Sequence, residues 1–399
     1  MAAARGVHGA GGGTSNGTED MAEPAYPAAR AVAATVEAHF ARRLAEARDG
    51  GGEDPAPLAD ARAVEAMVDT AFWASLRREE GHAPRISLAF LPPERAHSPL
   101  LFEERLPFTA MGLTRLAPAV ERPGIHLGVW RDGDELYVWG TTRTIPRLCF
   151  VLEVVEPGVL VVKYRRGDEF TKFGNVVVFA GDQVKLVDEG APRLPDCPPL
   201  VSMLLGSDPA GFRAGSANVL LQLAISMRSH GRGGSLLVVP GGSDRWRRSI
   251  VSPVRYSVVP AFAELAELIR QDPDERSRSR WQEAFERAVE SIGGLTAVDG
   301  AAVLSDRYEL LAFGAKIGRA DGSPQVEEVV LTEPVVGSEP TVLHPTALGG
   351  TRHLSAAQFA HDRRDAFALV ASQDGRFTVF AWSPCEDMVH AHRVETLLL

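Results

Sequence analysis

The chain has 399 residues, of which 45% are hydrophobic and 24% charged, and this composition excludes a protein that is disordered throughout. The formal net charge of −10, with no block of Lys or Arg, argues against a nucleic acid as the main partner. No apolar run approaches the roughly 20 residues that cross a bilayer, so we expect no membrane partner and a cytoplasmic location.

The three cysteines, Cys149, Cys197 and Cys385, are widely spaced along the chain and include no CxxC pair. This spacing favours a reducing compartment over a disulfide framework, and it does not match a zinc site. We therefore predict that all three cysteines are packing residues.

A disordered tail and an α+β domain are predicted for the first half of the chain. Residues 1–26 are rich in Gly, Ala, Ser and Thr, and they cannot bury enough apolar surface to offset the entropy of ordering. Two amphipathic helices are indicated by apolar residues that recur every four positions, namely Val32, Val36, Phe40 and Leu44, then Val64, Val68, Phe72 and Leu76. Six strand-like runs follow, separated by turn signals: RISLAFL, GIHLGVW, ELYVWGT, RLCFVLEVV, GVLVVKY and NVVVFAG. Residues 27–190 are therefore predicted to form an α+β domain with antiparallel strands, followed by a proline-rich linker at 191–199.

A second domain, of the α/β class, is predicted for residues 200–399. We expect a helix with Ser216 as its N-cap that ends at Gly231, followed by the strand GSLLVVP. Two more helices are indicated at about Ala261–Arg270 and Arg278–Ile292, the second ending at a glycine pair. The remaining apolar runs, LTAVDGAAVLS, ELLAFGAKI, AFALVASQ and FTVFAWS, predict strands of a mixed central sheet that is flanked by helices.

Asp299 opens the first of two turns in this domain that carry more chemistry than a simple connection needs. In AVDGAAVL the carboxylate is followed by Gly300 and Ala301, which are small enough for a ligand to approach the backbone closely. A carboxylate here could hold a divalent metal or accept a proton from a hydroxyl. The alternative is a plain hairpin turn, since Asp-Gly is a standard signal for one.

The second turn, LGGTRH, immediately precedes a helical pattern. Gly350 leaves backbone N–H groups accessible near a helix N-terminus, where the helix dipole attracts anions. Arg352 offers a planar fork that matches phosphate oxygens, Thr351 offers a hydroxyl donor, and His353 offers a donor or a metal ligand. The turn therefore suits a phosphate. The alternative is a capped helix that carries a solvated arginine and a surface histidine.

Three other motifs give weaker signals. GRGG at 231–234 could contact phosphate, but a tight turn is needed there in any case. WRRS at 246–249 could stack on a base or form a surface basic patch. HAHR at 390–393 has a histidine spacing unlike common zinc motifs, so a solvated segment is predicted.

In their order and their spacing of roughly 50 residues, the two turns resemble the signatures of the DisA-type diadenylate cyclase domain (DisA_N). The family's signatures are a DGA motif and a downstream GTRHR motif. They correspond here to Asp299-Gly300-Ala301 and Gly350-Thr351-Arg352-His353-Leu354. The run ALVASQDGRFTVF also resembles the family's closing strand pair, and the similarity covers about residues 200–385.

The resemblance implies condensation of two ATP molecules to cyclic di-AMP with release of pyrophosphate, in cyclase domains that face each other within a homo-oligomer. By position, Asp299 would bind Mg²⁺ or Mn²⁺ and help to activate the attacking hydroxyl, with Arg352 and His353 as further catalytic residues. His353 would be a second metal ligand. The nucleotide-binding residues implied are Gly300, Ala301, Gly350, Thr351, Arg352 and Ser372.

Two positions depart from the family's pattern. Leu354 stands where the GTRHR motif has its second arginine, which removes one cationic fork from the site. Ser372-Gln373-Asp374 stands where the family has a Ser-Glu-Glu turn, which leaves one carboxylate instead of two. The leading hypothesis is a metal-dependent cyclase. The alternatives are a weak or inactive protein that binds a nucleotide or cyclic dinucleotide, and a scaffold that binds no nucleotide.

The order of the two domains resembles that of proteins in which a DisA_N domain follows a predicted sensor module called DACNV. Residues 27–190 would then form the sensor and bind an unidentified small molecule. A ligand that prefers one arrangement of the protomers could bias the face-to-face pairing of the cyclase domains.

Overall fold

A computed structural model describes residues 25–49, 54–166, 173–188, 214–276 and 278–399. The described helices are α1 (Pro27–Asp49), α2 (Ala61–Ser75), α3 (Ala110–Leu116), α4 (Ala214–Ser229), α5 (Glu264–Arg270), α6 (Pro273–Arg276), α7 (Ser279–Leu295) and α8 (Thr351–Asp362). Within these ranges, no helix is both long enough and apolar enough to cross a membrane. Nearly all of the predicted tail, the predicted linker and Cys197 lie outside the described residues.

The described strands fall into two mixed sheets, which confirms a mixed α/β protein. Those of the first sheet are β1 (Ile86–Phe90), β2 (Leu100–Pro107), β3 (His126–Asp132), β4 (Glu135–Thr142), β5 (Phe150–Glu156), β6 (Val159–Arg165), β7 (Phe173–Ala180) and β8 (Gln183–Leu186). Those of the second are β9 (Gly234–Val239), β10 (Tyr256–Phe262), β11 (Ala301–Ser305), β12 (Leu310–Ala315), β13 (Val329–Thr332), β14 (Thr341–Leu343), β15 (Phe367–Ala371), β16 (Phe377–Ser383) and β17 (Met388–Arg393).

The first sheet has the order β2-β4-β3-β1-β5-β6-β7-β8, and helices α1, α2 and α3 pack on one of its faces. The predicted spacing of α1 is confirmed, since Val32, Val36, Phe40 and Leu44 are all buried. The strands are antiparallel except β1 and β3, which pair in parallel, so the prediction of antiparallel strands is wrong at this pair. A parallel pair needs a long crossover, and β2 and α3 lie in it; neither was predicted.

Two further predictions made from the sequence, for Leu76 and for Cys385, differ from the structure. The second helix ends at Ser75, and Leu76 is 49% exposed rather than buried on the helix face. Cys149 is buried in the first sheet, as a packing residue should be, whereas Cys385 is exposed. The packing role predicted for Cys385 is therefore wrong.

The second sheet has the order β10-β12-β11-β9-β15-β16-β17-β13-β14, with parallel pairs β9–β11 and β13–β17. Alternate residues of its central strands point to opposite sides. Leu236 of β9 packs in a core with α4, α5 and α7, whereas its neighbour Leu237 packs in a core with α8. The mixed sheet is thus flanked by helices on both faces, as the sequence predicts.

The boundaries of the helices in this half differ from the predicted ones. Helix α4 begins at Ala214, so Ser216 lies within the helix and is not its N-cap. Ala261 and Phe262 belong to β10 rather than to a helix, and α7 continues through Gly293 and Gly294 instead of ending there. A Cβ at Gly293 would lie 2.1 Å from Ser226 Oγ, so this glycine allows α7 to pack closely on α4.

The HAHR segment is not solvated but forms most of β17, between β16 and β13. His390 and His392 are 3% and 2% exposed, and the two rings lie 5.7 Å apart. Burial lowers the pKa of His392 to about 3, and its Nδ1 lies 2.7 Å from Thr332 Oγ1. The neutral imidazole of His392 can occupy a buried strand, and the sequence pattern does not reveal this protonation state.

The two halves of the chain are in contact. The carbonyl of Leu186 accepts a hydrogen bond from the N–H of Val336, and Val187 and Val335 form an antiparallel bridge. Lys185 contacts Glu333 at 2.5 Å, and Asn175 donates to the carbonyl of Thr396. Backbone pairing and a salt bridge therefore join β8 of the first sheet to the end of β13 in the second.

Candidate functional site

A cavity of about 570 Å³ opens at one end of the central strands of the second sheet. Strands β9 and β11 begin at this end and the antiparallel strands β12 and β15 end there, so four turns and the start of α8 meet. All eight site residues predicted from the sequence line this cavity: Asp299, Gly300, Ala301, Gly350, Thr351, Arg352, His353 and Ser372. The fold thus brings the two sequence motifs together.

Gly300 sets the position of Asp299 at the mouth of the cavity. Its φ is +111°, a backbone conformation that residues with a side chain rarely adopt, and a Cβ there would lie 2.5 Å from the carbonyl carbon of Gly314. The two backbones can approach because Gly300 has no side chain, while a Cβ at Gly314, where φ is +60°, would lie 2.8 Å from the Tyr256 ring. Ala301 then pairs with Ala315 across β11 and β12. The Asp-Gly pair is therefore not the hairpin turn of the alternative interpretation but the entry to β11.

This pairing brings the side chain of Lys316 close to that of Asp299. The Lys316 ammonium lies 3.4 Å from Asp299 Oδ2, and both side chains are mainly exposed, at 61% and 83%. The contact is a solvated ion pair, which contributes little to stability. Both groups are accessible to a ligand that enters the cavity.

The N-terminus of helix α8 forms another wall of the cavity. Gly350 is its N-cap, has no side chain to accept hydrogen bonds, and is open to space where a Cβ would be. The backbone N–H of His353 is already bonded to the carbonyl of Gly350. The N–H groups of Thr351 and Arg352 have no side-chain cap. A helix end of this kind, with its positive dipole, is suited to an anion.

Arg352 is held beside the GRGG turn that precedes β9. A Cβ at Gly233, where φ is +69°, would lie 2.8 Å from Arg352 Nη1. The side chain of Gln373 reaches the same turn and donates to the carbonyl of Arg232. The GRGG turn therefore contributes space for the Arg352 guanidinium, in addition to connecting α4 with β9.

His353 is 2% exposed, so the interpretation as a surface histidine is wrong. Its Nε2 lies 3.4 Å from Ser372 Oγ, and its Nδ1 has no hydrogen-bond partner. Burial is the main cause that lowers its pKa, with a further contribution from nearby arginines, while Asp374 opposes the shift. A neutral imidazole is the result, and it faces the cavity together with Ser372.

The Ser372 turn connects β15 with β16 and closes through hydrogen bonds between Ser372 and Arg376 and between Gly375 and Ser372. Asp374 lies 3.5 Å from the Arg376 guanidinium, outside the cavity lining. Leu354 does not line the cavity either. The two departures from the family's pattern therefore leave a site whose cationic side chains are Arg352 and Lys316.

The donor set offers Mg²⁺ or Mn²⁺ one accessible carboxylate. Within the described ranges, no group of three or more His, Cys, Asp or Glu side chains is arranged to hold a metal ion. A single carboxylate fits an ion that shares its remaining positions with waters and substrate phosphates, which is the usual arrangement for Mg²⁺. Asp299 fits that role. A metal-ligand role for His353 stays a prediction, since its Nε2 faces Ser372.

Sequence reasoning missed several lining residues, of which Lys316 matters most. The others are Ser235 at the start of β9, Ala315, Ile317, Ser355 on α8 and Gln373. A signal for Lys316 does exist: it is one of only four lysines in a chain with 42 basic residues, and it ends an apolar run. Its partner Asp299 lies 17 positions earlier, so no local pattern links the two.

A family model described as "Probable sensor domain DACNV" matches residues 53–143. The described part of this region spans α2, α3 and β1 to β4 of the first sheet. No curated protein matches the chain. The first half of the chain thus carries a region similar to a sensor domain.

Proposed function

We propose that the chain is a sensor-regulated nucleotidyltransferase that condenses two ATP molecules to cyclic di-AMP. The observation that carries this proposal is that one cavity holds Asp299, Arg352 and the N-terminus of α8, which has no side-chain cap. The match to a probable sensor domain supports it, because the DisA-type resemblance of the second half is to domains that follow such modules.

The reaction needs positioning and charge neutralisation more than a covalent nucleophile. In each of two steps a 3′-hydroxyl oxygen bonds to the α-phosphorus of the other ATP, the bond from that phosphorus to the bridging α–β oxygen breaks, and pyrophosphate leaves. Thr351, Arg352 and the α8 N–H groups would bind the phosphates. Asp299 would hold Mg²⁺ or Mn²⁺ together with the phosphates, and the bound ion would neutralise developing charge and favour loss of the hydroxyl proton, which would pass to solvent.

His353 would act as a neutral donor or acceptor through Nε2 and Ser372. Its lowered pKa keeps it uncharged at neutral pH, so it would orient a phosphate or hydroxyl by hydrogen bonding rather than by charge. One cavity would hold one ATP, so the reaction requires two copies of the second half facing each other. We therefore propose a homo-oligomer as the active state.

A second function is favoured by one observation, the Lys316 ammonium beside Asp299. A carboxylate that already has a cationic partner is less available to a metal ion. A site without a bound metal ion could bind ATP or a cyclic dinucleotide without turnover. Both functions predict nucleotide binding. Only the cyclase predicts release of pyrophosphate.

The test is mass spectrometry of the products after incubation of the full-length protein with ATP and Mn²⁺ or Mg²⁺. Asp299→Asn should lower product formation by about 100-fold or more, because it removes the metal-binding charge. Asp321→Asn is the matched control, since Asp321 also precedes a glycine with positive φ but lies outside the cavity. Its activity should equal that of the wild type.

A third variant separates the two functions. If the wild type binds ATP without product and Leu354→Arg makes cyclic di-AMP, the natural protein is a nucleotide-binding module. If neither makes product but both bind ATP, the same conclusion holds and Leu354 is not its cause. If no variant binds ATP, both functions are refuted.

Regulation would pass through the contact between the two halves. Lys185 lies 2.5 Å from Glu333 and 3.7 Å from Glu395, on segments that follow β13 and β17. Burial raises the pKa of Glu395, and the Lys185 charge opposes that rise. Lys185→Met should change turnover while ATP affinity stays within about twofold, since the cavity itself is untouched. Unchanged turnover would count against coupling through this contact.

A further inference from the structure

We propose that Lys316 is a phosphate-binding residue. In the ligand-free site it forms an ion pair with Asp299, and this pairing keeps free divalent metal ions from the Asp299 carboxylate until a polyphosphate binds. This inference rests on the proposed function in its choice of ligand and in the role of Asp299 as a metal ligand. The ion pair and the cavity that carry it belong to the fold.

The first step is that the backbone of Lys316 is fixed. The carbonyl of Lys316 accepts a hydrogen bond of 2.8 Å from the N–H of Val251, and the neighbouring Ile317 bridges to Ile250. The preceding residue, Ala315, pairs with Ala301. Because residues 315–317 pair with both neighbouring segments, the backbone of Lys316 has little freedom and its side chain starts from a fixed point at the cavity.

The second step is the charge of the cavity. Its ionised lining side chains are one carboxylate, Asp299, and two cations, Lys316 and Arg352, while His353 is held neutral. The cations come from different elements, the end of β12 and the start of α8. With the positive end of the helix dipole added, the cavity favours an anion with several charges over a free metal cation.

The third step is the exposure of the pair. At 61% exposure the Lys316 side chain is not locked in place, and an exposed ion pair is weak enough to exchange partners. Lysine also suits this exchange, because its ammonium is a compact point charge on a flexible stem. A polyphosphate can therefore draw Lys316 from Asp299, and the freed carboxylate can then accept the metal ion that accompanies the phosphate.

The test measures the affinity of the full-length protein for two separate probes. Binding of Mn²⁺ alone is followed by electron paramagnetic resonance, and binding of tripolyphosphate by calorimetry. Lys316→Met should bind Mn²⁺ roughly tenfold more tightly than the wild type, the effect of removing a unit charge near a divalent cation in a solvated site. The same variant should bind metal-free tripolyphosphate about fivefold more weakly. Lys316→Arg, which keeps the charge, should retain weak Mn²⁺ binding.

Arg319→Met is the matched control, because Arg319 is an exposed basic residue three positions further that does not line the cavity. It should leave both affinities within about twofold. If Lys316→Met has the Mn²⁺ and tripolyphosphate affinities of the wild type, the proposal is refuted even where the wild type makes cyclic di-AMP. If both affinities shift as expected and no cyclic product forms, the proposal stands and the cyclase function fails.

Discussion

Replacement of Gly300 by alanine should destabilise the second half of the chain and displace Asp299. The φ of +111° costs an alanine about 1–3 kcal/mol. The added Cβ would lie 2.5 Å from the carbonyl carbon of Gly314 and 2.8 Å from its oxygen, and relief of that overlap by separating β11 from β12 costs about 1–3 kcal/mol more. We therefore expect the free energy of unfolding to fall by about 2–6 kcal/mol.

Urea unfolding followed by circular dichroism measures this change. Gly294→Ala is the control of opposite sign, because a Cβ at this position of α7 meets nothing within 4 Å and alanine favours a helix by about 0.5–1 kcal/mol. If Gly300→Ala unfolds within about 1 kcal/mol of the wild type, the close approach of the two glycines is not a constraint on the site, and our account of how Asp299 is positioned is wrong.

Stability should also decline as the pH falls below about 6.5, because burial lowers the pKa of His126 to about 4 and that of His392 to about 3. Both are neutral in the folded protein, so protonation of the unfolded chain at pH 5 costs about 2 kcal/mol for each histidine. His392→Gln should reduce this pH dependence of the urea midpoint, and an unaltered slope would contradict the assignment. Maleimide should label Cys385 and spare Cys149, which is buried and whose thiol has a raised pKa. Peptide mass mapping of the labelled native protein checks this, and early modification of Cys149 would contradict it.

The two sequence motifs of the cavity lie within reach of sequence reasoning because each carries its signal locally. Gly300 and Gly350 mark backbone positions where a ligand can approach, and the charged residues stand next to them. No local pattern links Lys316 to the site, because it meets Asp299 only through the register in which Ala301 pairs with Ala315. Register is set by the pairing of strands and by the Gly300–Gly314 contact, and a single sequence does not display either.

The missed strands have equally physical reasons. Strand β2 lies at the edge of the first sheet with most of its side chains exposed, so LLFEERLP lacks the apolar alternation of a half-buried strand. In β17 apolar residues alternate with His390 and His392, but both faces of the strand are buried, so the histidines lie in the core together with Val389 and Ala391. The suitability of His392 for a core depends on a neutral state that its burial imposes by lowering its pKa.

The backbone bridge between Val187 and Val335 has a consequence for how the whole chain melts. The hydrogen bonds of Leu186 with Val336 and of Asp188 with Pro334 flank this bridge, so the outer strand of the first sheet continues into backbone pairing with the second. Opening of either sheet breaks these hydrogen bonds and also separates Lys185 from Glu333. The two cores therefore share part of their folding free energy, and a scanning calorimeter should record one cooperative transition rather than two separate ones.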